Sequence, residues 1–299
     1  MAAEIALVTE RRYEQRSSEL TAYEENIFEE DRLLIDALKA RGVKAVRLDW
    51  SRPDADWEAY DAVVLRTPWD YFDRFQPFMA WLDRLAGHRC VLNDVDTLRW
   101  NIDKHYLAEL ADAGVPVVPT VFVEQGTRTS LSDAIEELGA QNVVIKPVVS
   151  GAARETYKVT ADNRDRHSAT FERLCAERAM MVQPFMPGIV EHGEVTVVAM
   201  GGKATHALVK RAKAGDFRVQ DDHGGTVHAH DAAGDELELA QAALSIRERA
   251  PVYGRVDMVR DPDGVARVME LELIEPELWL RLHPPAAVAF AEGIVAALG

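Results

Sequence analysis

Cysteine is nearly missing from this chain: Cys90 and Cys175 are the only two in 299 residues. They stand far apart and without metal-type spacing, so two free thiols in a cytoplasmic protein is the simplest reading. Cations are scarce as well. Lys and Arg number 34 against 50 Asp and Glu, a net charge of −16, which argues against a general nucleic-acid or anionic-membrane surface. No run approaches ~18 uninterrupted apolar residues, so no membrane span is expected. The opening "MAAEIALVTE" lacks the basic n-region and long apolar core of a secretory signal. Repeats and low-complexity tracts are missing, and so are both familiar nucleotide fingerprints, G-x-x-x-x-G-K-S/T and G-x-G-x-x-G. What remains is 47% hydrophobic and 28% charged, an ordinary globular composition whose length suggests two or three compact units. Oligomeric state is left open, a homo-oligomer included.

The apolar pattern predicts an α/β protein. "IALVT" reads as a first buried strand, a helix follows over about Glu24–Ala40, and "KAVRLDW" and "DAVVLRTPWDYF" supply two more strands. Strand–helix–strand order implies a parallel sheet, whose ligands sit beyond the carboxyl ends of its strands. Arg66, Asp70 and Tyr71 stand at such an end, although a Pro-containing surface turn with an aromatic anchor has the same pattern. "VLNDVDTLRWNIDKHYLAELADAG" reads as a short strand and one capped helix ending at Gly114. Further on come a helix near Ser132–Leu138, the stretch "NVVIKPVVSGAARETYKV", a helix near Ser168–Arg178 and the apolar strand "AMMVQPFMPG". "EVTVVAMGGKATHALVKR" predicts two antiparallel strands joined through Gly201-Gly202, and "AAVAFAEGIVAAL" a closing helix.

Two stretches carry candidate chemistry. Lys146 ends a buried strand and is followed by the small-residue loop from Ser150 and Gly151 to Ala153, which would let backbone N–H groups approach an anion. A surface turn explains the same residues. The second stretch is "RVDMVRDPDGVARVMELELIEP", an alternating hairpin around the turn signal Asp-Pro-Asp-Gly. A regular register puts Arg255, Asp257, Glu270 and Glu272 on one face. Three carboxylates and one arginine there repel unless something sits between them. Mg²⁺ takes carboxylate oxygens and arrives with substrate phosphates, but a solvated edge hairpin is also common. "HGGTVHAH" brings His223, His228 and His230 together without a cysteine or a well-spaced further zinc ligand.

The order of these segments, from about Asn93 onward, resembles the ATP-grasp superfamily of carboxylate–amine ligases. The resemblance implies that Lys104, after "NID", and Lys146, in "VVIKP", hold ATP phosphates beside the loop "SGAARET". It makes "MVQPFM" the hinge that cradles adenine, through Gln183, Phe185 and Met186; Gln183 stands where the family often has an acidic residue. Glu194 would hold the ribose. From "KRAKAGDFRVQDDHGG" it carries over Lys210 and Arg218 as catalytic cations and the turn Gly224-Gly225 beside the substrate. It assigns Asp257, Glu270 and Glu272 to one or two Mg²⁺, with Glu272 replacing the family's Asn, and Arg255 to the reacting centre.

"RTPWDYF" and "MELELIEPELWLRLHP" further resemble the O-ureido-serine cyclo-ligases of that superfamily. This implies ring closure within one small amino acid, with Arg66, Asp70 and Tyr71 among the substrate contacts. Joining two separate molecules is the alternative; a nucleotide-binding module without turnover is a third. The expected organisation is an N-terminal α/β unit over 1–92, a linker and helix over 93–111, a central subdomain over 112–183 with the phosphate loop, and a C-terminal subdomain over 184–299 with the metal face.

Overall fold

The computed structural model describes residues 2–151, 153–219 and 224–299. Strands β1 (Glu4–Thr9), β2 (Lys44–Asp49), β3 (Ala62–Thr67) and β4 (Val91–Leu92) form a parallel sheet in the order β2-β1-β3-β4. β1 and β3 are covered on both faces, which explains their unbroken apolar runs. On one face lies the helix Ala22–Lys39, opened by a capping box between Thr21 and Glu24. The closing helix Pro285–Ala297 joins the same core, where Leu7, Leu34, Leu38 and Val64 meet Phe290 and Ile294. The other face is aromatic, built from Trp50, Trp57, Phe78 and Trp81. Phe78 and Trp81 come from a helix, Phe75–Leu85, that is not among the elements expected from the sequence.

β5 (Val121–Val123), β6 (Val143–Pro147), β7 (Tyr157–Val159) and β8 (Met180–Pro184) make an antiparallel sheet ordered β5-β8-β6-β7. Helices Leu131–Leu138 and Arg164–Glu177 back it. β9 (Glu194–Met200), β10 (Lys203–Arg211), β11 (Thr226–His230), β12 (Tyr253–Arg260) and β13 (Ala266–Glu272) make a second antiparallel sheet, ordered β11-β10-β9-β12-β13. Gly201 and Gly202 turn β9 into β10 with φ of 58° and 71°, a region glycine enters without a steric penalty. β11 and the helix Gly234–Leu244 stand between β10 and β12, where the sequence pattern predicts no element before the hairpin. β11 is a largely exposed edge strand, so it has no apolar period to read.

Two local departures shape the site. The single helix expected before Gly114 is two, Val95–Asn101 and Tyr106–Asp112. Between them the Asp103 carboxylate accepts the His105 N–H at 2.9 Å, and Lys104 N–H leaves the helix to bond Val148 O at 3.2 Å. This local bond competes with the helical ladder and delivers Lys104 to the second sheet. The hairpin holds the other departure. Asp257 pairs with Glu270 and Arg255 with Glu272, but Met258 pairs with Val268. Met269 is therefore the extra residue of a bulge. Strict alternation places Met269 on the core face with Leu271; the bulge hands that place to Val268 and turns Met269 toward a cleft.

Candidate active site

The cleft, with a volume of about 530 Å³, runs between the two antiparallel sheets and is closed at one end by the parallel one. Its floor is set by strand register. Thr196, Asp257 and Glu270 stand side by side across β9, β12 and β13, as do Lys210 and Glu194 across β10 and β9. The Asp257 carboxylate accepts Thr196 Oγ1 at 2.7 Å, Lys210 Nζ at 3.0 Å and Arg255 Nη2 at 2.8 Å. Arg255 also reaches the Glu272 carboxylate and donates to Glu277 O at 3.3 Å. Lys210 pairs with Glu194 as well. Lys104 Nζ lies 3.1 Å from Glu270 Oε1 and donates to Ser150 O at 2.6 Å. Trp279 roofs the cluster, its ring centroid 5.7 Å from Lys210 Nζ and 5.1 Å from Arg255 Cζ.

Burial raises every carboxyl here, and the local cations decide where each one ends. Arg255 and Lys210 outweigh burial at Asp257 and hold it far below the usual range. Lys104 and then Lys146 outweigh burial at Glu270 and lower it. Glu272 is less well served: burial, against Arg255 and reinforced by Glu270 and Asp257, pushes it up to about 8. Glu194 is raised too, by burial against Lys210. Lys146 is lowered, chiefly by burial. One oxygen each from Asp257, Glu270 and Glu272 lies within 4.8 Å of the others. An all-oxygen set of this kind suits a hard divalent cation, and a cation there relieves the repulsion that raises Glu272.

The second sheet forms the opposite wall. Alternation on β6 sends Val143 and Ile145 into the core and Val144 and Lys146 to the cleft. Val144 pairs with Gln183 on β8, and Gln183 donates to Thr120 Oγ1 at 2.9 Å. Phe185, Met186, Ile189, Val219 and Met269 complete an apolar end. The Phe185 N–H is engaged by Asn142 O at 2.8 Å and the Met186 carbonyl by the Ile189 N–H at 3.1 Å, which leaves the Phe185 carbonyl and the Met186 N–H to meet a ring edge. In the loop between β6 and β7, a Cβ on Gly151 would stand 2.8 Å from the Phe72 ring. A side chain there would push the loop off the parallel sheet, to which Arg154 and Asp73 also tie it.

Most expected site residues meet in this one cleft: Lys104, Lys146, Ser150, Gly151, Gln183, Phe185, Met186, Glu194, Lys210, Arg218, Arg255, Asp257, Glu270, Glu272 and Tyr71 all line it. Arg66 and Asp70 correct the expectation, for neither reaches its wall. Arg66 is 2% exposed, behind the sheet, with Nε on Asp31 at 3.0 Å. Asp70 accepts Trp50 Nε1 at 2.6 Å and pairs with Arg74. Both do lie at the end of a strand, but side-chain direction within the turn is not visible in sequence. Gly224 and Gly225 do not line the described cleft either, and His223 lies outside the described residues. His230 binds Glu236 at 2.8 Å and His228 meets Thr226.

Sequence reasoning missed the residues that hold β13 in place. Asn101 bonds Leu271 O and Leu273 N at 2.8 and 2.7 Å, Tyr106 Oη accepts Leu271 N, and Asn93 bonds Tyr253 O, Leu273 O and Val252 N. These side chains occupy the open edge of the sheet, whose backbone groups would otherwise be buried unpaired. A polar residue recurring on the apolar face of a helix is a signal for Asn101. Glu275, Glu277 and Trp279 follow the acidic hairpin directly, but nothing in their spacing marks them as cleft residues.

Comparison with known proteins places the cleft. A family model described as D-cycloserine synthetase DcsG, N-terminal domain, matches residues 5–93, and one described as prokaryotic glutathione synthetase, ATP-grasp domain, matches 115–261. The chain is 31% identical over 284 residues to the cycloserine biosynthesis protein DcsG of Streptomyces lavendulae, covering 87% of this chain and 91% of that one. It is 26% identical over 178 residues to the glutathione synthetase of Prochlorococcus marinus, 57% of this chain and 56% of that one. The crystal structure of D-cycloserine synthetase DcsG superposes with a TM-score of 0.85 at 29% identity, over 99% of this chain and all of that one. The D-alanine–D-alanine ligase of Bacillus anthracis, at 16% identity and TM-score 0.69 over 99% and 97%, shares the fold. The parallel sheet and the two clasping antiparallel sheets are thus those of an ATP-dependent ligase, and the chain belongs to the DcsG family within the ATP-grasp fold.

Proposed function

We propose that this protein closes a ring within a single amino acid, converting O-ureido-serine to cycloserine at the expense of ATP. The supporting observation is that the likeness to DcsG spans the nucleotide-binding sheets and also the N-terminal sheet, whose Tyr13, Trp69, Tyr71 and Phe72 wall the substrate end of the cleft. The apolar end would take adenine, Glu194 the ribose hydroxyls, and Lys104 and Lys146 the phosphate oxygens. Asp257, Glu270 and Glu272 would hold Mg²⁺, which when bound neutralises charge on the transferring phosphoryl group. The substrate carboxylate oxygen takes that group and becomes an acyl phosphate. The oxygen-bound nitrogen of the same molecule then attacks the acyl carbon, giving up its proton and expelling phosphate. After ring closure water cleaves the N-carbamoyl bond, the carbamoyl group leaves as carbamate that falls to CO₂ and ammonia, and cycloserine remains. Lys210, Arg218 and Arg255 would face the charge that develops on the acyl centre; donors fixed beforehand lower such a barrier. The aromatic wall keeps water from the acyl phosphate, and orientation within one molecule supplies roughly 7–11 kcal/mol of the barrier.

ADP release should be first order in O-ureido-serine alone, no added amine should raise it, and mass spectrometry should find cycloserine. Release that requires a second amino acid, with a product equal to the two joined less water, would replace cyclisation by intermolecular ligation. The nucleotide assignment has its own check. Lys146→Ala removes a charge-assisted phosphate contact worth roughly 1.5–3 kcal/mol. Affinity for ATP should fall about ten- to hundred-fold with the fold intact; unchanged affinity would remove Lys146 from the site.

A further inference from the structure

Glu275 lies in the cleft wall three residues beyond the acidic hairpin, where the parallel sheet meets β13. It is held from two sides by one turn. Trp69 Nε1 donates to its main-chain carbonyl at 3.0 Å, and the Tyr71 hydroxyl stands beside its carboxyl and lowers it against the effect of burial. Tyr71 is 4% exposed and locked between Phe72 and Phe78, so its hydroxyl is held in place beside Glu275. The other carboxylates of the cleft each have a cation: Asp257 has Arg255 and Lys210, Glu270 has Lys104, Glu272 has Arg255, Glu194 has Lys210 and Glu277 has Arg281. Among the described residues none forms an ion pair with Glu275. Its strongest positive influence, Lys104, is already engaged by Glu270 and Ser150 O. A carboxyl built into a cleft wall, oriented through both its backbone and its side chain and given no cation by the protein, is a seat for a cation brought by the ligand.

We propose that Glu275 binds the α-ammonium group of the amino-acid substrate, with Tyr71 as its positioning residue. The proposal rests on the cyclo-ligase reading for the identity of that substrate. In ring closure the oxygen-bound nitrogen is the nucleophile and the α-nitrogen is a spectator. Attack of the α-nitrogen on its own acyl carbon would close a strained three-membered ring, so this amine serves as a charged handle rather than a nucleophile. A carboxylate contact favours the charged form. It also fixes one end of the molecule while the arginines of the cleft face its carboxyl end, and two anchors are what orientation requires.

The test compares O-ureido-serine with its des-amino analogue, 3-(ureidooxy)propanoate, in wild type, Glu275→Gln and Tyr71→Phe. In Glu275→Gln, which keeps the side-chain shape, KM for O-ureido-serine should rise roughly ten- to hundred-fold, with KM for ATP and the melting temperature unchanged. The analogue should be used equally well by wild type and variant. Tyr71→Phe should shift the preference between the two substrates in the same direction but less, an effect that a merely structural phenol would not produce. Equal losses on both substrates, or a fall in kcat at constant KM, would overturn the proposal, because Glu275 would then act on groups the two molecules share. Wild-type ADP release with O-ureido-serine alone separately tests the cyclo-ligase reading. If release needs a different amino acid, the same comparison with that compound and its des-amino form still decides the role of Glu275.

Discussion

Glu272→Gln is expected to abolish ADP release while the metal-free protein melts higher than wild type at pH 8. Glu272 is raised from an ordinary 4.5 to about 8 by burial, with Glu270 and Asp257 reinforcing it against Arg255. Between those values the folded protein holds a proton that the unfolded chain has lost. Stability therefore falls as pH climbs from about 4.5 toward 8, and glutamine removes this dependence. The advantage of the variant should be absent near pH 4 and grow up to pH 8. Asp257→Asn is expected to behave in the opposite sense. Its carboxylate holds Arg255, Lys210 and Thr196, and removing one partner of a buried cluster costs about 3–5 kcal/mol. That variant should lose both activity and stability. Calorimetry in chelator, set beside ADP release in Mg²⁺, separates the cases. Retained ADP release in Glu272→Gln would show that its carboxylate is not needed as a ligand. A wild-type melt for Asp257→Asn would show that the cluster does not bind the strands together.

What the sequence made legible, and what it hid, divides along a physical line. Alternation on β12 and β13 put Arg255, Asp257, Glu270 and Glu272 on one face, and the cross-strand pairs agree, because period and turn chemistry are local. The parallel sheet was legible for the same reason, since strands covered on both faces read as apolar runs. The bulge at Met269 was not, because it depends on how two strands meet. Neither was the break at Lys104, which needs Val148 on another element to accept its N–H. The turn after β3 shows both sides. Its place at a strand end was readable, but Arg66 and Asp70 point into the protein while Trp69 and Tyr71 point to the cleft. Only packing against Asp31, Trp50 and Glu275 decides that. Asn93, Asn101 and Tyr106 were hidden because their partners are backbone groups more than 150 residues away.

Arg255→Lys keeps the charge and should nonetheless lower cycloserine formation about 10²–10³-fold. The guanidinium makes contacts that one ammonium cannot reproduce. Nε and Nη2 take the two Asp257 oxygens at 3.0 and 2.8 Å, Nη2 also reaches Glu272, Nη1 meets Glu277 O, and the plane lies under Trp279. A planar fork held on so many sides is preorganised, and lysine at such a position is not conservative. In the proposed cyclo-ligase mechanism, Arg255 would face charge that appears only as nitrogen attacks the acyl centre. Phosphoryl transfer should then survive better than ring closure. The acyl phosphate would wait longer in the cleft and be lost to water, so ADP should be released in excess of cycloserine, where wild type should give one for one. Quantifying both products in the same reaction reads this ratio directly. If ADP and cycloserine fall together and stay equal, Arg255 serves the strands and the metal face instead, and the oxyanion role passes to Lys210 or Arg218.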